Sequence, residues 1–269
     1  MIGRTMAVAV LAAGMGTTMA AAQEGWRLAA RQDWCGERDG DPDRARFCEV
    51  RETAWRATGR LAVDASPNGG IQVSAGSADE VRLQVKVMAV ADDEAEARRL
   101  VSAVRIQTGD DVRAQGPSMA RREWWSASFR LTVPERTDLD LRSFNGGLSL
   151  TGVRGHTELQ TTNGGIHLED AGGSIHGRTT NGGVHVALTG SQWDGEGLDV
   201  VTTNGGVTLD VPQDFNAHLE TGTVNGGVRM DFPVKVQGRL SRQLATDLGS
   251  GGPTIRAFTT NGGVTVRRR

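Results

Sequence analysis

The sequence has few aromatic residues and almost no lysine, and these absences narrow the classes of protein that it can encode. Tyrosine is absent, which is unusual for a glycan-binding surface, and aromatic residues make up 4% of the 269 residues. Lysine occurs only at 86 and 235, and 30 basic residues face 32 acidic ones, for a formal net charge of −2. This near-neutral balance argues against polyanion binding, so we expect no nucleic-acid partner.

Catalytic signatures are also missing. The sequence has no Gly-x-Ser-x-Gly, His-Glu-x-x-His or phosphate-loop motif. We therefore expect no enzymatic activity and no cofactor. Carboxylate pairs such as Glu169-Asp170 and Asp194/Glu196 are present, and glycosidases need only two carboxylates about 5–10 Å apart. A polysaccharide-active enzyme stays open as an alternative on that ground.

Long hydrophobic runs are confined to the start of the chain, where residues 1–22 predict a secretory signal peptide. Arg4 gives a basic start, and an Ala-, Val- and Leu-rich core spans 6–15. Three alanines that end at Ala22 then form a small-residue cleavage site before Gln23. The core is too short for a membrane span, and no other stretch is long enough for one. We expect an exported protein, in the periplasm or at the cell surface and beyond, without a transmembrane span.

Cysteine occurs only twice, at Cys35 and Cys48. Export makes a disulfide the default state of such a pair, and a reactive free thiol is the alternative. The closed loop is short, so the bridge should contribute about 3 kcal/mol in the chain-entropy model.

The triplet Asn-Gly-Gly is the strongest pattern that is present. Its seven copies begin at Asn68, Asn145, Asn163, Asn181, Asn204, Asn225 and Asn261. From the second copy onward the gaps are 18, 18, 23, 21 and 36 residues. A fixed period of this size indicates a repeat architecture. Because 36 is two units of 18, we expect a decayed copy near residue 243.

Each copy predicts a strand, a tight corner and a second strand, because apolar residues alternate on both sides of the triplet, as at Leu148 and Leu150. Asn-Gly is a strong signal for a two-residue hairpin, and it also suits the corner of a solenoid. We favour an all-β solenoid of about 18 residues per unit. The asparagines then point inward in phase with threonines such as Thr161, and stacked amides satisfy one another. Consecutive hairpins are the alternative.

The rest of the chain divides into segments of different character. Residues 23–59 form a polar lead segment closed by the cysteine pair, and residues 60–135 form a β-rich segment with one helix. That helix is expected over Asp92 to Val104, and a strand over Arg121 to Pro134. The repeat region covers 136–269. Its arginine tail, 267–269, is expected to end the last rung with charge and discourage end-to-end strand addition.

These features together resemble a known family. The signal peptide, the Arg46 to Glu52 stretch, Leu131 to Pro134, Leu139 to Gly147 and the Thr-x-Asn-Gly-Gly units are similar to a bacterial exported β-strand-repeat family of unknown function, often labelled putative adhesin. The resemblance covers most of the chain after the signal peptide and is strongest over 130–269. It implies an exported β-solenoid-like domain without an established catalytic site.

Two clusters have ligand-like spacing, but neither predicts a metal site. His167 and His185 are one unit apart, so they should stack on the outer face about 4.8 Å apart. Structural zinc needs four ligands, and no further ligands accompany them in register. Asp39, Asp41 and Asp43 open like a calcium loop, but Arg44 and Val50 stand where that loop requires Gly and Glu.

The candidate partner-binding residues lie in an inserted loop and on one strand. The gap between Asn181 and Asn204 contains extra residues, including Trp193, Asp194 and Glu196. Insertions into solenoid rungs form surface loops, and an exposed Trp beside two carboxylates suits a sugar or a partner. Packing of Trp193 over a rung edge is the alternative. Trp124 is expected to point outward, with packing against the helix as its alternative.

Three functional hypotheses follow from these patterns. The first is a non-enzymatic exported solenoid, an adhesin-like module for an envelope glycan or envelope protein. The second is a structural envelope protein that associates with itself. The third is the polysaccharide-active enzyme.

Overall fold

We describe the chain from a computed structural model, which covers residues 25–30, 32–36, 44–76, 79–232 and 243–269. The predicted signal peptide and the acidic turn at Asp39, Asp41 and Asp43 lie outside these described residues. The predicted all-β solenoid-like fold is confirmed.

The first half of the structure contains the single α-helix of the described residues and the longest strands. Its elements are β1 (Arg27–Leu28), a 3-10 turn (Asp33–Cys35), β2 (Ala45–Arg56), β3 (Arg60–Asp64), β4 (Ile71–Gly76), β5 (Glu80–Ala91), α1 (Glu94–Ala103), β6 (Arg105–Gln107), β7 (Asp111–Gln115) and β8 (Trp124–Pro134). The helix is two residues later at its start than predicted, because the Asp93 side chain caps it by accepting a hydrogen bond from the Glu96 amide.

The second half consists of six pairs of strands and one further strand, β19. They are β9 (Asp138–Asn145), β10 (Leu148–Thr151), β11 (Arg154–Asn163), β12 (Ile166–Glu169), β13 (Gly172–Asn181), β14 (Val184–Ala187), β15 (Gly197–Asn204), β16 (Val207–Val211), β17 (Ala217–Asn225), β18 (Val228–Met230), β19 (Gln243–Leu248), β20 (Thr254–Asn261) and β21 (Val264–Arg268). Each Asn-Gly-Gly joins the two strands of one rung.

The two strands of a rung belong to two different sheets. Sheet 1 has the order β1-β2-β5-β8-β4-β10-β12-β14-β16-β21-β18, and sheet 2 has the order β19-β17-β20-β15-β13-β11-β9-β3-β7-β6. Rung strands pair in parallel, with each Asn opposite the Asn of the next rung, for example Asn163 opposite Asn181. Consecutive hairpins would pair antiparallel, so this register excludes them.

The rungs do not stack in chain order. The last rung, β20 and β21, lies between the rung of β15 and β16 and the rung of β17 and β18. The expected decayed copy near residue 243 is wrong, since Gln243–Leu248 runs antiparallel to β17. Arg267 and Arg268 of the arginine tail lie in the interior strand β21, so the tail does not close the end of the stack. The expectation that the tail ends the last rung with charge is therefore corrected.

The first Asn-Gly-Gly copy belongs to the same stack as the others. Strand β3 pairs with β9 and strand β4 with β10, both in parallel. The predicted segment boundary between 135 and 136 stays a prediction. Beyond this first rung, β8 pairs with β4 in parallel, and β5 and β2 then extend sheet 1 with antiparallel pairing. Helix α1 closes the end of the core with Ala97, Leu100 and Val101, which are fully buried.

A hydroxyl residue two positions before the asparagine, not the asparagine itself, is the buried polar residue of the rungs from β9 onward: Ser143 in the rung of β9 and threonine in the other five. The asparagines of the corners lie exposed or half-exposed, which corrects the expected inward direction. The predicted amide stack is nevertheless present, because Nδ2 of each Asn donates to Oδ1 of the next at 2.8–2.9 Å. The hydroxyl of Thr161 is buried and donates to the Gly146 carbonyl at 2.8 Å, and the other rungs repeat this bond.

Candidate binding groove

A groove of about 960 Å³ crosses the outer face of sheet 1, perpendicular to its strands. Its floor is the second glycine of successive triplets, namely Gly70, Gly147, Gly165, Gly183 and Gly206. We call this feature the binding groove. A side chain at these positions would point outward, as alternation along a strand requires, so the missing side chains create the depression.

The two glycines of a triplet have different reasons to be glycine. A Cβ on the first would meet a backbone carbonyl of the neighbouring rung, at 2.1 Å for Gly164 and 2.0 Å for Gly182. A Cβ on the second has ordinary contact distance at Gly183 and Gly206, 3.4 Å in both cases, and nothing within 4 Å at Gly227. None of the second glycines has a positive φ. At Gly70, Gly147 and Gly165 a Cβ on this second glycine would lie closer, 3.0–3.3 Å from a carbonyl of the neighbouring rung. Close stacking thus requires the first glycine, whereas Gly183 and Gly206 of the floor have room for a Cβ, and their missing side chains keep the groove open.

Polar side chains two residues beyond the second glycines form one wall of the groove. They are Gln72, Ser149, His167, His185 and Thr208, one from each of five neighbouring rungs. Parallel pairing in register spaces them at about 4.8 Å. The wall therefore offers a regular row of hydrogen-bonding groups to anything that lies along the groove.

Trp34 closes one end of the groove, and the disulfide holds it there. The 3-10 turn Asp33–Cys35 lies over the outer face of sheet 1, where the Trp34 ring contacts the Lys86 ammonium at 5.1 Å and the Arg130 guanidinium at 4.3 Å. The predicted bond between Cys35 and Cys48 is confirmed, and it ties this turn to β2. Sequence reasoning found the disulfide but not the aromatic residue beside it.

The carbonyls of the floor are already hydrogen-bonded. Each floor carbonyl accepts from the rung beside it, for example Gly165 O from the Leu148 amide at 2.9 Å and Gly183 O from the Ile166 amide at 3.0 Å. A ligand on the floor finds apolar Cα–H surface and carbonyls that already accept bonds. Its hydrogen-bond donors must find their partners in the wall.

The two histidines of the wall stack as predicted. The His167 and His185 rings have their centroids 4.8 Å apart, and Nε2 of His185 lies 2.6 Å from Oδ2 of Asp210. In the part of the chain that the structure describes, no group of three or more His, Cys, Asp or Glu side chains could hold a metal ion.

The inserted loop contributes to the framework. Trp193 is 3% exposed, and its Nε1–H donates to the Gly173 carbonyl at 2.9 Å. Of the two alternatives for this residue, packing against the rungs is the one that occurs, because the indole belongs to the hydrophobic core. The exposed alternative is corrected.

The two carboxylates of that loop have separate neighbours. Asp194 forms an ion pair with Arg154 at 3.0 Å, and Arg154 also contacts Asp170 at 2.9 Å. Glu196 lines a depression of about 300 Å³ on sheet 2, together with His176 and Arg256. Trp124 is half-buried and lies on the face of β8 opposite to that of the buried Trp125. Partner contacts through Asp194, Glu196 and Trp124 stay predictions.

The outer face of sheet 2 is covered by paired charges. Arg142 donates two hydrogen bonds to Asp140, at 2.9 and 2.8 Å, and these bonds with the nearby negative charge raise the pKa of Arg142. Arg256 contacts Asp199 at 2.7 Å, and His218 contacts Asp247 at 2.7 Å. Side chains that bond one another offer less to a partner than the wall of the groove does.

None of the helices in the described ranges combines the length and the apolar character that a membrane crossing needs.

Comparison with solved structures finds similar folds at very low identity. A putative cell adhesion protein from Clostridium sporogenes is 9% identical with a TM-score of 0.45, and the match covers 83% of this chain and 100% of that one. A putative adhesin from Bacteroides fragilis is 11% identical with a TM-score of 0.33, covering 82% and 97%. A putative lipid binding protein from Parabacteroides distasonis is 9% identical with a TM-score of 0.33, covering 81% and 96%.

No curated protein matches the sequence. A family model does match, and it covers residues 69–267, from the first Asn-Gly-Gly corner through the last strand. That range contains the rung corners from Gly69 onward and all the glycines of the groove floor, whereas Trp34 lies outside it. The chain belongs to the Toastrack DUF4097 family.

Proposed function

We propose that this protein is an exported, non-enzymatic binding module that engages a partner of the cell envelope, a glycan or a protein, through the binding groove. The observation that carries the proposal is the groove itself, about 960 Å³ in volume and floored by a column of glycines, of which Gly183 and Gly206 are not required by stacking. An adhesin-like role agrees with this surface. The relatives by fold are too distant to add to the argument.

Two features support export. Residues 1–22 have the pattern of a signal peptide. The bond between Cys35 and Cys48 is of the kind that persists in oxidising compartments such as the bacterial periplasm or the cell exterior. The proposal covers both compartments.

The alternatives from the sequence have less support. Polysaccharide cleavage through Asp194 and Glu196 would require the two carboxylates to share a site, whereas they have different neighbours. Self-association controlled by the arginine tail assumed that the tail ends the stack, whereas β21 is an interior strand.

Binding to the native envelope tests the proposal. The exported chain, from residue 23 onward, is incubated with the envelope fraction of its own cells, and co-sedimentation is measured for the wild type, Gly183→Leu and Gly227→Leu. The first variant places a side chain on the floor of the groove, and the second places one on a rung that does not line it. We expect Gly183→Leu alone to lose binding. Equal binding by all three proteins would refute the proposal.

A further inference from the structure

We propose that the ligand of the binding groove is a linear acidic polysaccharide, lying across the strands with one sugar ring against Trp34. This inference rests on the proposed function, and it names the class of partner.

The floor favours a saccharide over a polypeptide. An extended peptide brings an amide and a carbonyl per residue, and each needs a hydrogen-bond partner once it is removed from water. The floor carbonyls offer no acceptor to the amides of such a peptide, because Gly165 O, Gly183 O and their equivalents already accept bonds within the sheet. A sugar ring presents apolar C–H faces and carries its hydroxyls at the edge, which suits an apolar floor beside a polar wall.

The wall supplies groups of the required kind at a regular spacing. Ser149, His167, His185 and Thr208 each carry a side chain that can donate or accept. The wall repeats with the rung, about every 4.8 Å, so it can meet the hydroxyls of a polymer at successive positions. A single acyl chain would leave these groups unpaired.

The charge of the groove complements an acidic polymer, although the chain as a whole is near neutral. Among the residues that the structure describes, no carboxylate lines the groove. Arg267 stands exposed at one end, and the described residues show no ion pair to it. Arg130 lies under Trp34 at the other end, where it donates a hydrogen bond to Gln72 rather than to a carboxylate. Asp210 lies beside Arg267 in register, but His185 engages it.

The aromatic end provides a stacking surface. The Trp34 ring is partly exposed at the border of the groove, while the two cations contact it from the sheet. A sugar ring can pack on such an indole through its apolar C–H face. The disulfide beside it keeps the ring in place, which lowers the entropy lost on binding.

The length of the groove sets the size of the ligand. Six strand steps separate β8, under Trp34, from β21, which carries Arg267. At roughly 4.8 Å per step the two ends lie about 29 Å apart. Affinity for an oligosaccharide should therefore rise with its length until it spans this distance, and then level off.

Calorimetry with defined oligomers tests the inference. The probes are linear oligouronides of graded length, neutral oligoglucosides of the same lengths and vesicles of phosphatidylglycerol. We expect the longer oligouronides to bind, with Gly183→Leu and Trp34→Ala each weakening them at least about tenfold and Trp34→Phe retaining most of the affinity. Arg267→Gln should weaken the oligouronides more than any neutral chain, and Gly227→Leu should change nothing.

Other results would overturn the inference. Neutral chains that bind as tightly as acidic ones contradict the charge argument, and binding to vesicles without binding to oligouronides assigns the groove to lipid. If envelope co-sedimentation depends on Gly183 while neither class of oligosaccharide binds, the saccharide is wrong and the proposed function stands. If co-sedimentation does not depend on Gly183, both are wrong.

Discussion

The outer faces of sheets 1 and 2 are built from the same repeat, yet they differ in what they leave unpaired. On sheet 2, charged side chains bond to one another, as Arg142 does with Asp140 and Arg256 with Asp199. On sheet 1, the second glycine of each corner removes a side chain and leaves a groove with a polar wall. Many charged side chains of one face are paired within the molecule, and the other face is open along its length.

The difference begins at the corner. Both faces receive every second residue of a rung, but the triplet puts its glycines on the sheet 1 side of the asparagine. The first glycine permits the rungs to stack, and the second gives the face its depression. A repeat selected for stacking alone would not need glycine at Gly183 or Gly206, where a Cβ finds ordinary contact distance.

The largest expected effect is on the free energy of unfolding, and it should distinguish the first glycine of a triplet from the second. Gly164→Ala puts a Cβ 2.1 Å from the Gly146 carbonyl, so the rungs must separate, and we expect a loss above roughly 4 kcal/mol or no folding. Gly183→Ala should change the free energy of unfolding by less than about 1 kcal/mol, because its contact is ordinary and its φ is not positive. Urea unfolding measures both; similar losses would remove the distinction.

Trp193→Ala tests whether the inserted loop belongs to the framework or to the binding face. Its indole is buried and bonded to Gly173 O, so truncation should cost about 3–5 kcal/mol. The folded fraction should still bind the envelope. Trp34→Ala should give the reverse pattern, with a small loss of stability and weak binding. Loss of binding by a folded Trp193→Ala protein would show that the inserted loop belongs to the surface that binds the partner.

The disulfide is expected to act on stability and on the sheet 1 face together. Replacing both Cys35 and Cys48 by Ser should lower the free energy of unfolding by about 3 kcal/mol. It should also weaken envelope binding, because the turn that carries Trp34 loses its tie to β2. Titration calorimetry well below the new melting temperature separates the two effects. Unchanged affinity would show that Trp34 needs no such support.

One substitution in the core should stabilise the protein. Thr157 is fully buried, and its hydroxyl has no hydrogen-bond partner among the described residues. Equivalent positions in neighbouring rungs carry Leu139 and Ile175. Thr157→Val removes the unpaired hydroxyl and keeps the shape, so we expect a gain of about 1 kcal/mol. Thermal unfolding against Thr179→Val, which loses a bond to Gly164 O, provides the control of opposite sign.

Substitutions on the outer face of sheet 2 should have the smallest effect on stability and on binding. Arg142→Gln breaks an ion pair whose side chains are 60% and 30% exposed, and such pairs contribute about 0.2–1 kcal/mol. Binding to the envelope should not change. A loss of binding larger than that of Arg267→Gln would place the partner on sheet 2 and invert the comparison of the two faces.

The local pattern of the rungs was predictable, because it depends on neighbouring residues. Apolar alternation around each triplet gave the strands, and the phase of Asn and Thr gave the amide stack. The direction of Asn163 was mistaken, since the corner begins at that residue and turns its side chain toward solvent, while Thr161 takes the buried place.

The order of the rungs and the position of the groove could not be predicted from local sequence patterns. Spacing along the chain does not say which rung lies beside which, so the insertion of β20 and β21 between two earlier rungs was missed. The groove was missed because it depends on one column of glycines across many rungs. The repetition of Gly at the third position of the triplet was the available signal, and no role was assigned to it. Trp34 reaches the groove only through a fold-back that the disulfide fixes.

Photo-crosslinking from the two faces tests the central claim most directly. A photoreactive amino acid is placed at Thr208, in the wall of the groove, or at Gln160, which is exposed on the outer face of sheet 2. Each protein is irradiated with its own envelope fraction, and the covalent adducts are measured by mass spectrometry. Adducts from Thr208 and not from Gln160 are the predicted result. Equal yields from both positions, or adducts from Gln160 alone, would contradict it.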